Sequence, residues 1–193
     1  MDEEITDKSL LGCLTVARKP QRYWKSLKIL GDKIVSGYDG SEWDIGEWRN
    51  NPYPVTEECE GLNCCPHVID AMRYVACDIL AEVKVRGKKI VGADKLTVQE
   101  MKIERAWVWT KEDSVSLSIY SAEQVIGLYE EKYPDDARPR EAIEAARRYL
   151  ETPTGKTADA AAYAAADASA RLEMKKKIQN WIISHLKNKE GLV

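Results

Sequence analysis

Four side chains able to ligate a metal or act as nucleophile and base fall within nine residues: Cys59, Cys64, Cys65 and His67. Thiolate and imidazole are the ordinary zinc ligands. The spacing, however, has no paired Cys-x-x-Cys unit, and only the lone Cys77 follows. No metal is therefore expected, and buried thiols in a tight loop beside a helix start are the plainer reading. A nucleophilic cysteine needs a positioned base. His67 and His185 are the two histidines, so Cys64 or Cys65 with His67 is the short-range pairing to test.

Gly155-Lys156-Thr157 has the look of the end of a phosphate-binding loop. That motif needs a first glycine at position 150, where Leu150 stands, and a strand before it rather than a helix. Without glycine amides to wrap a phosphate, the triplet reads as a helix start. Tyr133 to Glu141 is dense in opposite charges and rigid turns. Asp135 and Asp136 precede a helix, whose dipole favours negative charge there. Arg138 and Arg140 can fork onto carboxylates. A structural corner is the plain reading, and a partner-binding corner is the sharp one. Lys175-Lys176-Lys177, Lys187 and Lys189 read as a solvated face complementing a helix C-terminus.

The elements that must position these groups change character near Thr110. Before it, the periodicity is that of strands. Leu10–Arg18 is a candidate first strand, and Leu27–Val35 carries a Gly31-Asp32 turn signal. Gly37 to Ser41 marks another turn, Trp43 to Trp48 an extended segment, and Asn50 to Pro54 a loop. Pro66 to Tyr74 reads as a short helix, with Val68, Ile69, Met72 and Val75 on one face. Ile79, Ala81, Val83 and Val85 alternate with Glu82, Lys84 and Arg86, the pattern of a half-buried strand. Gly87 is expected to begin a turn. Lys95–Trp109 alternates again and should pair with Ile79–Val85.

After it, the periodicity is helical. Thr110 with Asp113 has the form of a capping box. A helix should run from there to about Tyr133-Pro134, with Val115, Ile119, Ala122, Val125, Ile126 and Tyr129 inward. A second should span about Pro139 to Glu151, with Ile143, Ala146, Arg147 and Leu150 inward. A third should span about Thr157 to Leu186, using Leu172, Met174, Ile178, Trp181, Ile182 and Leu186. The fold class expected is α+β. An antiparallel β-rich part with one short helix (1–109) precedes a bundle of about three helices (110–193).

Composition bounds the function. The 193 residues are 44% hydrophobic and 32% charged, enough for an ordinary core under a charged surface. A net charge of −3 argues against duplex-DNA binding, which favours a basic excess. Phe is absent, while six Trp and nine Tyr carry the aromatic load, rings that suit interfaces and pocket walls. No apolar run is long enough to span a membrane, so no membrane partner is expected. Met1-Asp2-Glu3-Glu4 is wrongly charged for a signal peptide, and five Cys fit free thiols in a reducing cytoplasm.

Two segments resemble known families. Tyr133-Pro134-Asp135-Asp136-Ala137-Arg138-Pro139-Arg140-Glu141, continuing to Arg147, and the Ala-rich run 158–170 resemble the immunity proteins of bacterial toxin systems over about 112–172. That likeness implies a helical protein that binds and neutralises a toxin, with no catalytic role. Glu58-Cys59, Gly61-Leu62-Asn63-Cys64-Cys65, Ile79 to Gly87 and Ala93-Asp94-Lys95 resemble an uncharacterised domain common in bacteriophage proteins. Together they imply a phage or mobile-element protein, acting in the host cytoplasm. The same stretch has an echo of ADP-ribosyltransferases. Gly61, Tyr74 and the strand 79–85 would hold the places of the NAD-pocket elements, with Leu62 where an aromatic belongs and Glu100 or Glu104 as the later acid.

The leading expectation is thus a binding protein without cofactor, which occludes a toxin or defence factor through Asp135, Asp136, Arg138 and Arg140. The alternative is a ligand-binding or degenerate transferase-like pocket in the β-rich part, near Gly61, His67, Tyr74 and Glu82.

Overall fold

The computed structural model describes residues 22–74, 77–152 and 172–192. The candidate strand Leu10–Arg18, the triplet Gly155-Lys156-Thr157 and the start of the third expected helix lie outside the described residues. The fold is α+β, with an antiparallel sheet first and helices after it.

Strands β1 (Tyr23–Leu30) and β2 (Lys33–Val35) form the hairpin that Gly31-Asp32 announces, with Lys28 opposite Val35. Gly31 has φ 65°, a conformation glycine adopts without steric cost. Past it, Glu42 and Ile45 make only isolated bridges, and regular pairing resumes at β3 (Trp48–Asn50). Of the expected extended segment 43–48, residues 43–47 are therefore a bridged loop, and Trp48 begins a strand. β4 (Leu62–Cys64) leads into α1 (Val68–Tyr74).

β5 (Ile79–Val91) and β6 (Leu96–Val108) form a long hairpin, the pairing expected from their alternation. Gly87 does not begin the turn. It sits at φ 75° in an irregularity between Arg86 and Lys89, and a Cβ there would meet Gln99 Cβ at 3.0 Å. The glycine absorbs a bulge, and the strand runs on to Val91.

The sheet order is β2-β1-β5-β6-β3, with β4 also on β6. β3 and β4 follow one another along the same edge of β6, pairing at Glu100–Lys102 and at Leu96–Val98. Gln99 stands between them. Its side chain donates to Asn51 O (2.7 Å) and accepts from Val55 N (3.1 Å), fastening the intervening loop. Cys65, just after β4, exchanges backbone hydrogen bonds of 2.8 and 2.7 Å with Trp24 of β1. The path β1-β5-β6-β4 thereby returns to β1, so the sheet closes on itself along this seam.

One face of the curled sheet holds Leu27, Ile79, Ala81, Val83, Val98, Met101 and Ile103. The other packs Trp24, Leu80 and Trp107 against α1 and α5 (Leu172–Lys187), whose Met174, Ile178, Ile182 and Leu186 are buried as the spacing predicted.

The capping box at Thr110 is present: Asp113 N donates to Thr110 Oγ1 (3.3 Å), and Thr110 N donates to Asp113 Oδ2 (2.7 Å). The helix it starts is not continuous to Tyr133. It breaks into α2 (Lys111–Glu123) and α3 (Ile126–Lys132) at Gln124-Val125. α4 (Arg138–Glu151) buries Ile143, Ala146 and Tyr149. Arg147 points outward to Glu123 and Glu144, because its guanidinium finds acids at the surface and none in the core.

Candidate functional site

β1 places alternate side chains on opposite faces of the sheet. Tyr23 and Leu27 enter the inner core, and Trp24 and Ser26 turn toward α1, where Ser26 Oγ donates to Ala71 O. Lys25 shares the inner register with Tyr23 and Leu27. A lysine thus stands in an apolar stripe. Its ammonium donates to Asn63 O (2.9 Å) and lies 5.2 Å from the centre of the Trp43 ring. Burial lowers its pKa, since an ammonium is disfavoured away from water.

Around Lys25 a cavity of about 320 Å³ opens between β1, the loop 36–43 and the segment 59–65. Trp43 is 5% exposed and anchored by Trp43 N to Ile34 O (2.9 Å). Its Nε1 is buried without a hydrogen-bond partner. The Arg49 guanidinium lies 4.8 Å from the same ring and gives one donor to Glu42 O (2.8 Å). Asp39 is also on the wall, but its Oδ1 accepts from Ser41 Oγ (2.7 Å) and Ser41 N (3.2 Å). The Ser41 hydroxyl first, aided by other loop donors, holds that carboxyl at about 2, against its partial burial. Tyr38 stands at the rim, 95% exposed.

Of the residues expected at a β-half pocket, Gly61 lines this cavity. A Cβ on Gly61 would meet Val55 Cγ2 at 2.8 Å and Val98 O at 3.0 Å, so the loop closes on the sheet only with glycine here. His67 is exposed at the start of α1, away from the cavity lining. Of Tyr74 only the backbone is described. Glu82 is buried elsewhere, ion-paired to Arg105 (2.7 Å) and Arg22 (3.3 Å). Glu100 and Glu104 pair with Arg86 and Lys84, each at 2.5 Å.

The cysteine cluster does not assemble. Cys59 is exposed at φ 69°, while Cys64 and Cys65 go to opposite sides of the sheet, into the inner and the helix-facing cores. Burial pushes both thiols up to about 12. Among the described residues, no three His, Cys, Asp or Glu side chains are placed to hold a metal ion.

Both arginines of the corner 133–141 are ion-paired within the chain. Arg138 grips Asp136 through Nε (2.8 Å) and Nη2 (2.6 Å), and Tyr129 Oη donates to the same carboxylate (2.7 Å). Arg140 forks onto Glu130 at 2.5 and 2.7 Å. Asp135 is exposed.

Comparison with protein-family models, with curated proteins and with solved structures finds no match to this chain. Among the described residues, no helix is long and apolar enough to cross a membrane.

Lys25, Trp43 and Arg49 escaped the sequence reading. The signal was present: Tyr23-Trp24-Lys25-Ser26-Leu27 alternates, with a cation on the apolar side. The pattern read from the sequence starts at Leu27, whereas β1 begins at Tyr23.

Proposed function

We propose that this protein binds a small molecule in the cavity between β1 and the segment 59–65. The observation that carries this reading is the Lys25 ammonium, set in the inner wall of a cavity with one carbonyl acceptor. A half-buried cation with one acceptor is costly to a fold unless something else answers it. The cavity is at the small end of the range of ligand pockets, roughly 300–1,000 Å³. Its wall mixes aromatic surface with a few converging polar groups, as ligand pockets do.

The test is a thermal-shift screen of a small-metabolite library on the wild type and on Ser36→Trp, which sets an indole at the cavity wall. A ligand present at a hundred times its Kd stabilises the folded state by about 2.7 kcal/mol. Compounds that raise the wild-type Tm should leave Ser36→Trp unmoved. Equal shifts in both proteins, or none in the wild type, would sink the reading.

A second reading, occlusion of a toxin or defence factor by a phage or mobile-element protein, is supported by the resemblance of residues 112–172 to immunity proteins. Its structural support is the exposure of Tyr133 (46%), which lines the same surface hollow as Arg138. Arg and exposed aromatics are common anchors of protein interfaces. Pull-down with the wild type and with an Arg138→Ala, Arg140→Ala double variant tests it. A partner held equally by both would remove the arginines from that surface.

A further inference from the structure

We infer that the cavity around Lys25 takes a small organic anion, a carboxylate or a phosphate monoester, with its oxygens on the donors of Lys25 and Arg49. The inference rests on the reading that this cavity is a ligand site, and it follows from which hydrogen-bonding capacity the wall leaves over.

Two side-chain acceptors of the wall are engaged. Asp39 Oδ1 is engaged by Ser41, and Asn63 Oδ1 accepts from Thr97 Oγ1 at 2.8 Å. The donors are not. An ammonium has three N–H groups, and Lys25 gives one bond, to Asn63 O. The Trp43 indole N–H is buried with no acceptor. A guanidinium has five N–H donors, and Arg49 gives one bond, to Glu42 O.

A buried donor without an acceptor bears its full desolvation cost. Trp43 Nε1 is in that state, and Lys25 beside it uses one of its three N–H groups, so the wall is short of acceptors.

Charge gives the same answer. Apart from Lys95, which is engaged by another group, the wall carries Lys25 and Arg49 against Asp39. Among the described residues no carboxylate lies in ion-pair contact with Lys25. An anion that entered would pair a desolvated ammonium and accept charge-assisted hydrogen bonds, the strong kind. A neutral ligand would leave the ammonium as it is. A cation would add to its cost. Burial lowers the Lys25 pKa, and Asp39 only partly offsets it.

Isothermal titration with benzoate and phenyl phosphate, against their neutral counterparts benzamide and phenol, tests the inference on the full chain. Wild type should bind at least one of the anions roughly tenfold or more tightly than its neutral counterpart. Lys25→Met should lose roughly ten- to hundredfold of that anion's affinity and keep any affinity for the neutral compound. Which anion binds more tightly distinguishes a carboxylate from a phosphate ligand. Should Lys25→Met not fold, Arg49→Gln at the half-buried edge of the cavity carries the same comparison, with the loss expected in the same direction. Binding of neutral and anionic probes alike, unchanged by either substitution but abolished by Ser36→Trp, would overturn the anion while leaving a ligand cavity. Binding of neither anion at millimolar concentration would overturn the anion as well. A borohydride-trapped adduct of Lys25 with an aldehyde probe, without anion affinity, would show a neutral amine nucleophile there instead.

Discussion

At the scale of the residue, the chemistry sits where the alternation of a strand is violated. Cys59, Cys64, Cys65 and His67 are neighbours in sequence, and the pleat of β4 separates them in space. Cys64 and Cys65 serve opposite cores, and burial holds both thiols, like that of Cys77, at about 12. The thiolate is the reactive form. In the folded protein at neutral pH, iodoacetamide should therefore label Cys59 and spare Cys64, Cys65 and Cys77 until denaturant is added. Peptide mass spectrometry reads this directly, and prompt labelling of Cys64 would contradict its burial. Lys25 is the converse case. Replacing a poorly matched buried cation by an apolar side chain of similar length is commonly neutral or stabilising. Lys25→Met should thus melt no lower than wild type in the absence of ligand. A fall of several degrees would mean that Lys25 is structural. The lysine was legible in principle, as a charge on the Tyr23-Leu27 face. What the sequence could not carry was the approach of Trp43 and Arg49, brought to it by a loop whose bridges depend on tertiary contacts.

At the scale of the element, local signals were readable where the chain closes its own hydrogen bonds. Gly31-Asp32 gave its hairpin, and Thr110 gave its capping box. The break at Gln124-Val125 was not readable, since neither residue is a helix breaker. There Val125 leaves the helical conformation at φ −124°. The capping box carries a second task. Asp113, 6% exposed, also accepts from His185 Nε2 (2.7 Å) and from Lys189, tying the start of α2 to the end of α5. His185 is itself held by stacking on Trp181, centroids 4.7 Å apart. Burial alone would raise the Asp113 pKa, but the His185 hydrogen bond, with those of Lys189 and Thr110, outweighs it and lowers the value. A carboxyl whose folded pKa is depressed adds stability above its unfolded value, about 3.9, and loses it as pH falls through the folded one. Asp113→Asn should cost about 2–4 kcal/mol at pH 7, from the weakened cap and the unpaired Lys189 ammonium. The gap to wild type should narrow by pH 3. Urea midpoints at the two pH values check both statements, and a gap that stays constant would show that the ionised carboxylate is not what matters.

At the scale of the whole molecule, the change of periodicity near Thr110 is a boundary in sequence but not in packing. α5 returns from the C-terminal part to the sheet, where Met174, Ile178, Ile182 and Leu186 cover Trp24, Leu80 and Trp107. Leu192 then pairs its backbone with Ala106 of β6 (2.7 Å), and Lys189 Nζ donates to Val108 O (2.7 Å). No periodicity could have announced this, because an amphipathic helix shows that it covers something without showing what. The face of the sheet that α5 covers is the back of the strand that bears Lys25, so the helix supports the cavity wall from behind. Ile182, 0% exposed, sits at the middle of the contact. Ile182→Ala removes buried methyl groups and leaves a void, a change that costs about 2–5 kcal/mol. If sheet and α5 share one cooperative core, that cost must appear in both. Far-UV circular dichroism and tryptophan fluorescence should fall together, at one lowered midpoint, in urea. Two separated midpoints, with the tryptophan signal of the sheet unmoved, would instead make the strands a unit that stands without its last helix.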